Sequence, residues 1–251
     1  MPEALASAFQ TKGLIWLIGA VCVAGLVRGF SGFGSAMIIM PVASSVLPPI
    51  EAVIFLVAGE MLGPLPNLPA ALSDGAPKDL GVLMIGALVA LPIGTAFLSI
   101  IDPNVFGWLI SAVVLALLVL LVTGWRYKGE LTRRLTVATG ALGGIMTGFA
   151  GIPGPPVIML YIASSLPISV IRANFRLYLL AVDLILFPFL WLSGLMVWQV
   201  FFLGLLVGIP NVVANMIGAR LFDPQAEALF RRVAYIVIAA SAIVSLPIWK
   251  G

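Results

Sequence analysis

Apolar residues run along this chain in ten stretches, at about 13–28, 34–48, 51–72, 80–100, 105–125, 135–149, 154–167, 170–193, 196–222 and 230–249. Stretches of this length and composition predict helices, and a helix that crosses a bilayer needs roughly 20 apolar residues. Six of the ten read as ordinary spans, 51–72 and 230–249 among them. The other four flank two glycine-rich breaks and are only about 15 residues each, which predicts helical hairpins or broken helices. The first break reads Arg28-Gly29-Phe30-Ser31-Gly32-Phe33-Gly34, and the second reads Gly148-Phe149-Ala150-Gly151-Ile152-Pro153-Gly154-Pro155-Pro156. In both, glycine and proline interrupt helical hydrogen bonding and free backbone N–H and C=O groups that hydrocarbon cannot satisfy. Such loops must face protein, water or a ligand.

The breaks are copies of one another. A shift of 119 positions carries Gly29-Phe30 onto Gly148-Phe149, Gly32 onto Gly151, Met40 onto Met159, Ser45 onto Ser164 and Pro48 onto Pro167. Farther on, Pro92 meets Pro210 at a shift of 118, and Asp102-Pro103 meets Asp223-Pro224 at 121. This collinear match divides the chain into transmembrane repeats 1–128 and 129–251, each of about five segments and each opening with a broken hairpin. Broken helices in corresponding positions of two halves point to the substrate site of a transporter, because half-helix ends place partial charges near the membrane midplane.

An odd number of segments per half inverts the second repeat, whereas counting each broken pair as one crossing gives four per half and parallel repeats. The basic residues choose between these. With five per half and the N-terminus outside, Lys78, Arg126, Lys128, Arg133, Arg134, Arg172, Arg176, Arg220, Arg231 and Arg232 fall inside, and only Lys12 and Lys250 fall outside, Arg28 being set aside. With four per half the split is seven against five. Cytoplasmic loops carry the Lys/Arg excess, which favours inverted repeats with both termini outside.

Composition agrees with this reading. Of 251 residues, 62% are hydrophobic and 9% charged, against roughly a quarter charged in soluble domains. The chain therefore belongs to a lipid bilayer. A net charge of +3 gives no footprint for nucleic acid. There is no histidine, so the commonest metal ligand and proton shuttle is missing. The one cysteine, Cys22, permits no disulfide within the chain and no thiolate cluster, and it reads as a packed core thiol. No cofactor is implied. Residues Met1 to Gln10 lack a basic n-region and Lys12 is the only early cation, so the first hydrophobic segment is expected to be retained rather than cleaved as a signal peptide.

Few residues can carry chemistry. Arg28 stands directly before the first break, where a fixed charge and exposed N–H groups can together hold an anion; the alternative is an interfacial arginine that snorkels to headgroups. Ser31 and Ser35 add hydroxyl donors for an oxyanion, or serve as small packing residues. The second break is uncharged, and since proline has no N–H its backbone donors are Gly151, Ile152 and Gly154. Glycines 29, 32 and 34 do not form a nucleotide loop, because no β-α-β context surrounds them. Arg172, Arg176 and Asp183 fall within about 40° of one another around a helix and share a face. Asp183 and Glu60 lie mid-way along their segments, where a charge is costly and points to function. They are the candidate proton carriers within hydrocarbon. Pro64 is expected to kink the Glu60 segment. Asn211 and Asn215 form a polar stripe that lines a path or joins helices.

The Gly-Phe-Ser-Gly-Phe-Gly stretch followed by an apolar run to Met40-Pro41, and its return as Gly-Phe-Ala-Gly-Ile-Pro-Gly before Pro155-Pro156, resembles the TauE/SafE sulfite exporter family, also called the 4-toluene sulfonate uptake permease family. The resemblance covers nearly the whole chain. It implies a multi-pass carrier of the bacterial inner membrane that moves sulfur-containing anions such as sulfite, thiosulfate, sulfonates or sulfoacetate. The family's motif positions fall on Gly29, Phe30, Gly32, Gly34, Gly148, Gly151 and Gly154, and prolines 153, 155 and 156 depart from its pattern.

The expectation is thus an all-α integral membrane transporter of a small sulfur anion working by alternating access. Arg28, Gly29, Phe30, Ser31, Gly32, Gly34, Ser35, Gly148, Gly151, Ile152, Gly154, Arg176 and Asn211 would bind the substrate, and Glu60 and Asp183 would carry coupled protons. Helix N-termini at the breaks would add about half a unit of positive charge each. An anion channel and an intramembrane enzyme are the rival readings.

Overall fold

The computed structural model describes residues 13–65, 68–124, 132–162 and 166–249. Met1 to Gln10, Lys12, Arg126, Lys128, the division at 128/129, Ser164 and Lys250 lie outside the described residues. Among the described residues the chain is helical and has no strand. The helices are α1 (Leu14–Ser31), α2 (Ser35–Val46), α3 (Pro49–Glu60), α4 (Leu68–Asp74), α5 (Pro77–Ile100), α6 (Pro103–Val122), α7 (Arg133–Ala150), α8 (Gly154–Ile162), α9 (Ile168–Leu192), α10 (Trp198–Leu221) and α11 (Glu227–Val244).

The first break is a hairpin. Gly32, at φ 80°, ends α1 by returning its N–H to the Arg28 carbonyl at 2.8 Å, and Gly34, at φ 92°, starts α2. Both angles lie in the left-handed region that only glycine enters cheaply. Two such residues so close together fold the chain back. Gly13 at the start of α1 consequently lies against Val46 at the end of α2, where a Cβ would come 2.9 Å from Val46 Cγ1. The second break is capped alike at the shift of 119: Gly151, at φ 64°, donates to the Thr147 carbonyl at 2.8 Å.

Five described helices are long and apolar enough to cross a membrane: Leu14–Ser31, Leu80–Ile100, Pro103–Val122, Ser169–Leu192 and Trp198–Leu221. This corrects the expected set. The stretch 51–72 is not one kinked span, since α3 stops at Glu60, turns follow, and α4 begins at Leu68. Pro64 lacks the N–H that helix propagation requires, and the Glu60 carbonyl instead accepts the Gly63 N–H at 3.1 Å. Glu60 is therefore the last residue of a helix rather than the middle of one. The final stretch, α11, ends at Val244, short of Pro247. Large apolar side chains such as Ile100, Leu192 and Val89 stand exposed, while Asp183, Asn174 and Asn211 are buried, the distribution expected when lipid is the outer solvent.

The helices form two compact units that cut across the halves of the sequence. One holds α1, α2, α3, α6, α10 and α11; the other holds α4, α5, α7, α8 and α9. Each contains a pair of helices packed backbone against backbone, and the two pairs correspond. In the first unit Gly25 faces the Asn211 carbonyl, Gly29 the Asn215 carbonyl, and Gly218 the Leu26 carbonyl. In the second, Gly144 faces the Ala87 carbonyl, Gly148 the Leu91 carbonyl, and Gly94 the Ile145 carbonyl. A Cβ on any of the six would overlap the oxygen it faces. Adding 119 to the α1 residue and subtracting 124 from the α10 residue converts every contact of the first set into one of the second. The pairs advance together along both chains, so α1 runs parallel to α10, and α7 parallel to α5.

This register corrects one sequence match. Pro92 and Pro210, aligned at a shift of 118, do not occupy equivalent places, because the packed glycines set the correspondence at 124. A proline inside a membrane helix need not mark a packing position, whereas a glycine under another backbone must. Gly29→Ala and Gly148→Ala are each expected to destabilise the protein by about 3 kcal/mol, since the obstructing atoms are backbone and cannot swing aside. Gly19→Ala, where a Cβ meets nothing within 4 Å, should leave stability unchanged. Thermal unfolding of the three purified variants in one detergent checks this, and equal melting of all three would refute the packing role.

Candidate functional site

Folding the hairpin back brings three polar residues together in the first unit. Arg28 sits in the last turn of α1, Ser35 opens α2, and Glu60 closes α3. Arg28 Nη1 lies 3.4 Å from Glu60 Oε2 and donates to Ser35 Oγ at 3.5 Å. Gly63, in the turn after α3, lies beside the guanidinium. The paired side chains are 12% and 13% exposed, and Ser35 is buried. A buried ion pair roughly breaks even against apolar packing, so stability alone does not account for it. Glu60 Oε1 is buried and has no hydrogen-bond partner among the described residues; the same holds for Nδ2 and Oδ1 of Asn211 on α10.

Asn211 lies along the seam that α10 makes with α1 and the end of α3. Its carbonyl rests against Gly25 of α1, and Gly208, one turn before it, rests against the Gly59 carbonyl and Leu62 at the end of α3. The remaining candidates of the first unit are otherwise engaged. Gly29 is a packing contact, and Gly32 and Gly34 make the turn. The Phe30 ring packs on Phe230 with centroids 5.2 Å apart. The Ser31 hydroxyl lies 2.6 Å from the Val27 carbonyl and 2.8 Å from the Phe33 carbonyl. Its single proton is therefore already committed to the backbone, and it is Ser35 that reaches Arg28.

The second unit holds Gly148, Gly151, Ile152, Gly154, Arg176 and Asp183. The expectation that Gly151 and Ile152 offer free N–H donors is not met. Gly151 N–H bonds the Thr147 carbonyl, and Ile152 N–H bonds the Met146 carbonyl at 3.3 Å, because the end of α7 must cap its own carbonyls. Gly148 is under the Leu91 backbone, and Gly154 opens α8. Arg172 and Arg176 are exposed while Asp183 is 8% exposed, so the three do not share one environment despite their helical spacing. Thr147, which the shift of 119 places opposite Arg28, is fully buried and donates to the Gly143 carbonyl at 2.7 Å.

Two residues of this unit escaped the sequence reading. Asn174 and Tyr178, one helical turn apart on α9, are both completely buried. Asn174 Oδ1 accepts the Ala76 N–H at 2.7 Å, which leaves Nδ2 without a partner among the described residues, as is Tyr178 Oη beside Gly143. Asp183 lies close enough to act on the Tyr178 hydroxyl electrostatically. The signal was an asparagine in the apolar stretch 170–193, obscured by the more conspicuous charges around it.

The family model described as sulfite exporter TauE/SafE matches residues 17–245, taking in both hairpins and all eleven helices in whole or part. The chain belongs to the sulfite exporter TauE/SafE family. No curated protein and no solved structure matches it. Membership makes this a multi-pass membrane protein of a transporter family, as the resemblance in the sequence implied. Within this TauE/SafE protein the Arg28–Glu60 pair is a charged feature that helix packing does not explain. Glu60→Leu should cost about 3 kcal/mol by leaving a buried guanidinium unmatched, and adding Arg28→Met should recover most of that loss. Melting temperatures of wild type, single and double variants test the pairing, which a double variant no more stable than Glu60→Leu would disprove.

Proposed function

We propose that this protein is a secondary transporter of small sulfur-containing anions, of the sulfite, sulfonate, thiosulfate or sulfoacetate type, working by alternating access in the bacterial inner membrane and coupled to protons through Glu60 and Asp183. The observation that carries the proposal is Arg28, largely buried at a helix break, whose polar contacts among the described residues, to Glu60 and Ser35, are both made through Nη1. Nε and Nη2 are the donors left to meet an oxyanion in the two-pronged geometry that suits a guanidinium. Glu60 is then the anion's competitor. A proton on Glu60 removes the negative charge nearest Arg28, so anion and proton are bound together more readily than either alone. Asp183, buried in the second unit, is the other carboxylate available for coupling.

We read the chain as two inverted repeats, 1–128 and 129–251. Matching caps and matching backbone contacts at fixed shifts support the duplication. The direction of α3 supports the inversion: Gly204 of α10 lies against the Phe55 carbonyl, and Gly208 against the Gly59 carbonyl, so α3 runs parallel to α10. Five segments per half make these two helices parallel, whereas four crossings per half would make them antiparallel.

Proteoliposomes holding wild type should show saturable uptake of labelled sulfite that an imposed pH gradient accelerates. Arg28→Ala should reduce it at least tenfold, the worth of one charge-assisted hydrogen bond of about 1.4 kcal/mol or more, and Asp183→Asn should remove the response to the gradient. No flux above empty liposomes for sulfite or for a sulfonate panel would remove the substrate class. Reporter fusions after Lys128 and after Lys250 should report cytoplasm and periplasm respectively; a cytoplasmic signal at both would rule out the inversion.

A further inference from the structure

The groups left unmatched around Arg28 specify more than a negative charge. Glu60 balances the guanidinium, so the empty site is electrically neutral, and with or without a proton on Glu60 a bound dianion leaves it one charge more negative than a monoanion does. Repulsion in a poorly solvated site makes the second charge far more costly than the first. The hydrogen-bonding inventory points the same way. Glu60 Oε1 is a buried acceptor, and Asn211 contributes one donor end and one acceptor end, none of the three partnered among the described residues. A bare oxyanion has only lone pairs to offer. It would satisfy Arg28 and the Asn211 amide hydrogens, and it would set its oxygens against Glu60 Oε1 and Asn211 Oδ1. Buried acceptors facing an acceptor are costly, and the cost falls away when the ligand supplies a hydrogen.

We infer that the site selects a singly charged sulfur oxyanion carrying its own hydroxyl, a hydrogen sulfite or a hydroxyalkanesulfonate, with the oxyanion on Arg28 and Ser35 and the hydroxyl donating to Asn211 Oδ1. This rests on the proposed role of Arg28 as anion holder. The Asn211 contribution follows from its place on the seam between Gly25 of α1 and the end of α3, and the argument holds for either assignment of the amide nitrogen and oxygen, since one end always accepts.

Two sulfonates of equal charge and equal size separate this from simple anion binding. In purified full-length protein reconstituted in nanodiscs, 2-hydroxyethanesulfonate should displace labelled sulfite at about one-tenth the concentration that propane-1-sulfonate requires, the tenfold worth of one buried hydrogen bond. In Asn211→Leu that preference should fall to nearly onefold. Equal displacement by the two sulfonates in wild type overturns the inference and leaves the Arg28 site standing, and it does so without any variant. A tenfold preference that persists in Asn211→Leu overturns the assignment of the hydroxyl to this seam. Sulfite binding that Arg28→Ala does not weaken overturns the site reading beneath it, and the inference with it.

Discussion

Backbone lying directly on backbone is the constraint from which the rest of this structure follows. In lipid there is no hydrophobic gain in bringing two apolar helices together, so association depends on how closely their surfaces meet. Glycines 25, 29 and 218 in one unit, and 94, 144 and 148 in the other, remove the side chains that would hold the helices apart. The contact is so close that it admits one register. That register fixes the height of Asn211 against Gly25, and with it the relation of α10 to the Arg28 turn; Gly204 and Gly208 fix α3 on the other side of the same helix. The polar seam is thus positioned by residues that have no polar side chain at all.

The same contacts join the two halves of the sequence. The first helix of each half packs on the long fourth segment of the other, α1 on α10 and α7 on α5, so each compact unit is made of pieces from both. A chain built this way draws its closest helix contacts from both halves together. It also gives a physical reason for the weak sequence match between halves. What must be preserved is a small residue beneath a carbonyl, and that requirement leaves most side chains unconstrained.

This explains which features could be read from the residues and which could not. The helical hairpins were legible because glycine at a break is a local property, and Gly32 and Gly34 do adopt the left-handed angles that such a turn needs. Arg28 and Glu60 were legible as charges in apolar stretches. Their pairing was not, because it depends on α3 ending at Glu60, and a proline four residues on is compatible with a kink as well as with a stop. The fates of Ser31, Gly151 and Ile152 were hidden for a related reason: whether a hydroxyl or an N–H is free depends on whether the helix end uses it as a cap, and the same composition serves both purposes. Register does not follow from Pro92 and Pro210, because a conspicuous residue need not be a constrained one.

The two halves meet the same geometry with different chemistry, and that difference bears on how a carrier would work. At the shift of 119, Arg28 is answered by Thr147, whose hydroxyl is spent on the Gly143 carbonyl. At this position one half carries a charge and the other does not. Two arginines would leave the empty protein with excess buried charge, which is costly to move through hydrocarbon. One arginine matched by Glu60 makes the empty site neutral, so under the proposed cycle the unloaded carrier can reorient with its pair intact. Substrate then acts by replacing an internal partner with an external one. Affinity in such a site is limited by competition with Glu60, and weak binding that still releases its cargo on the far side is what transport requires.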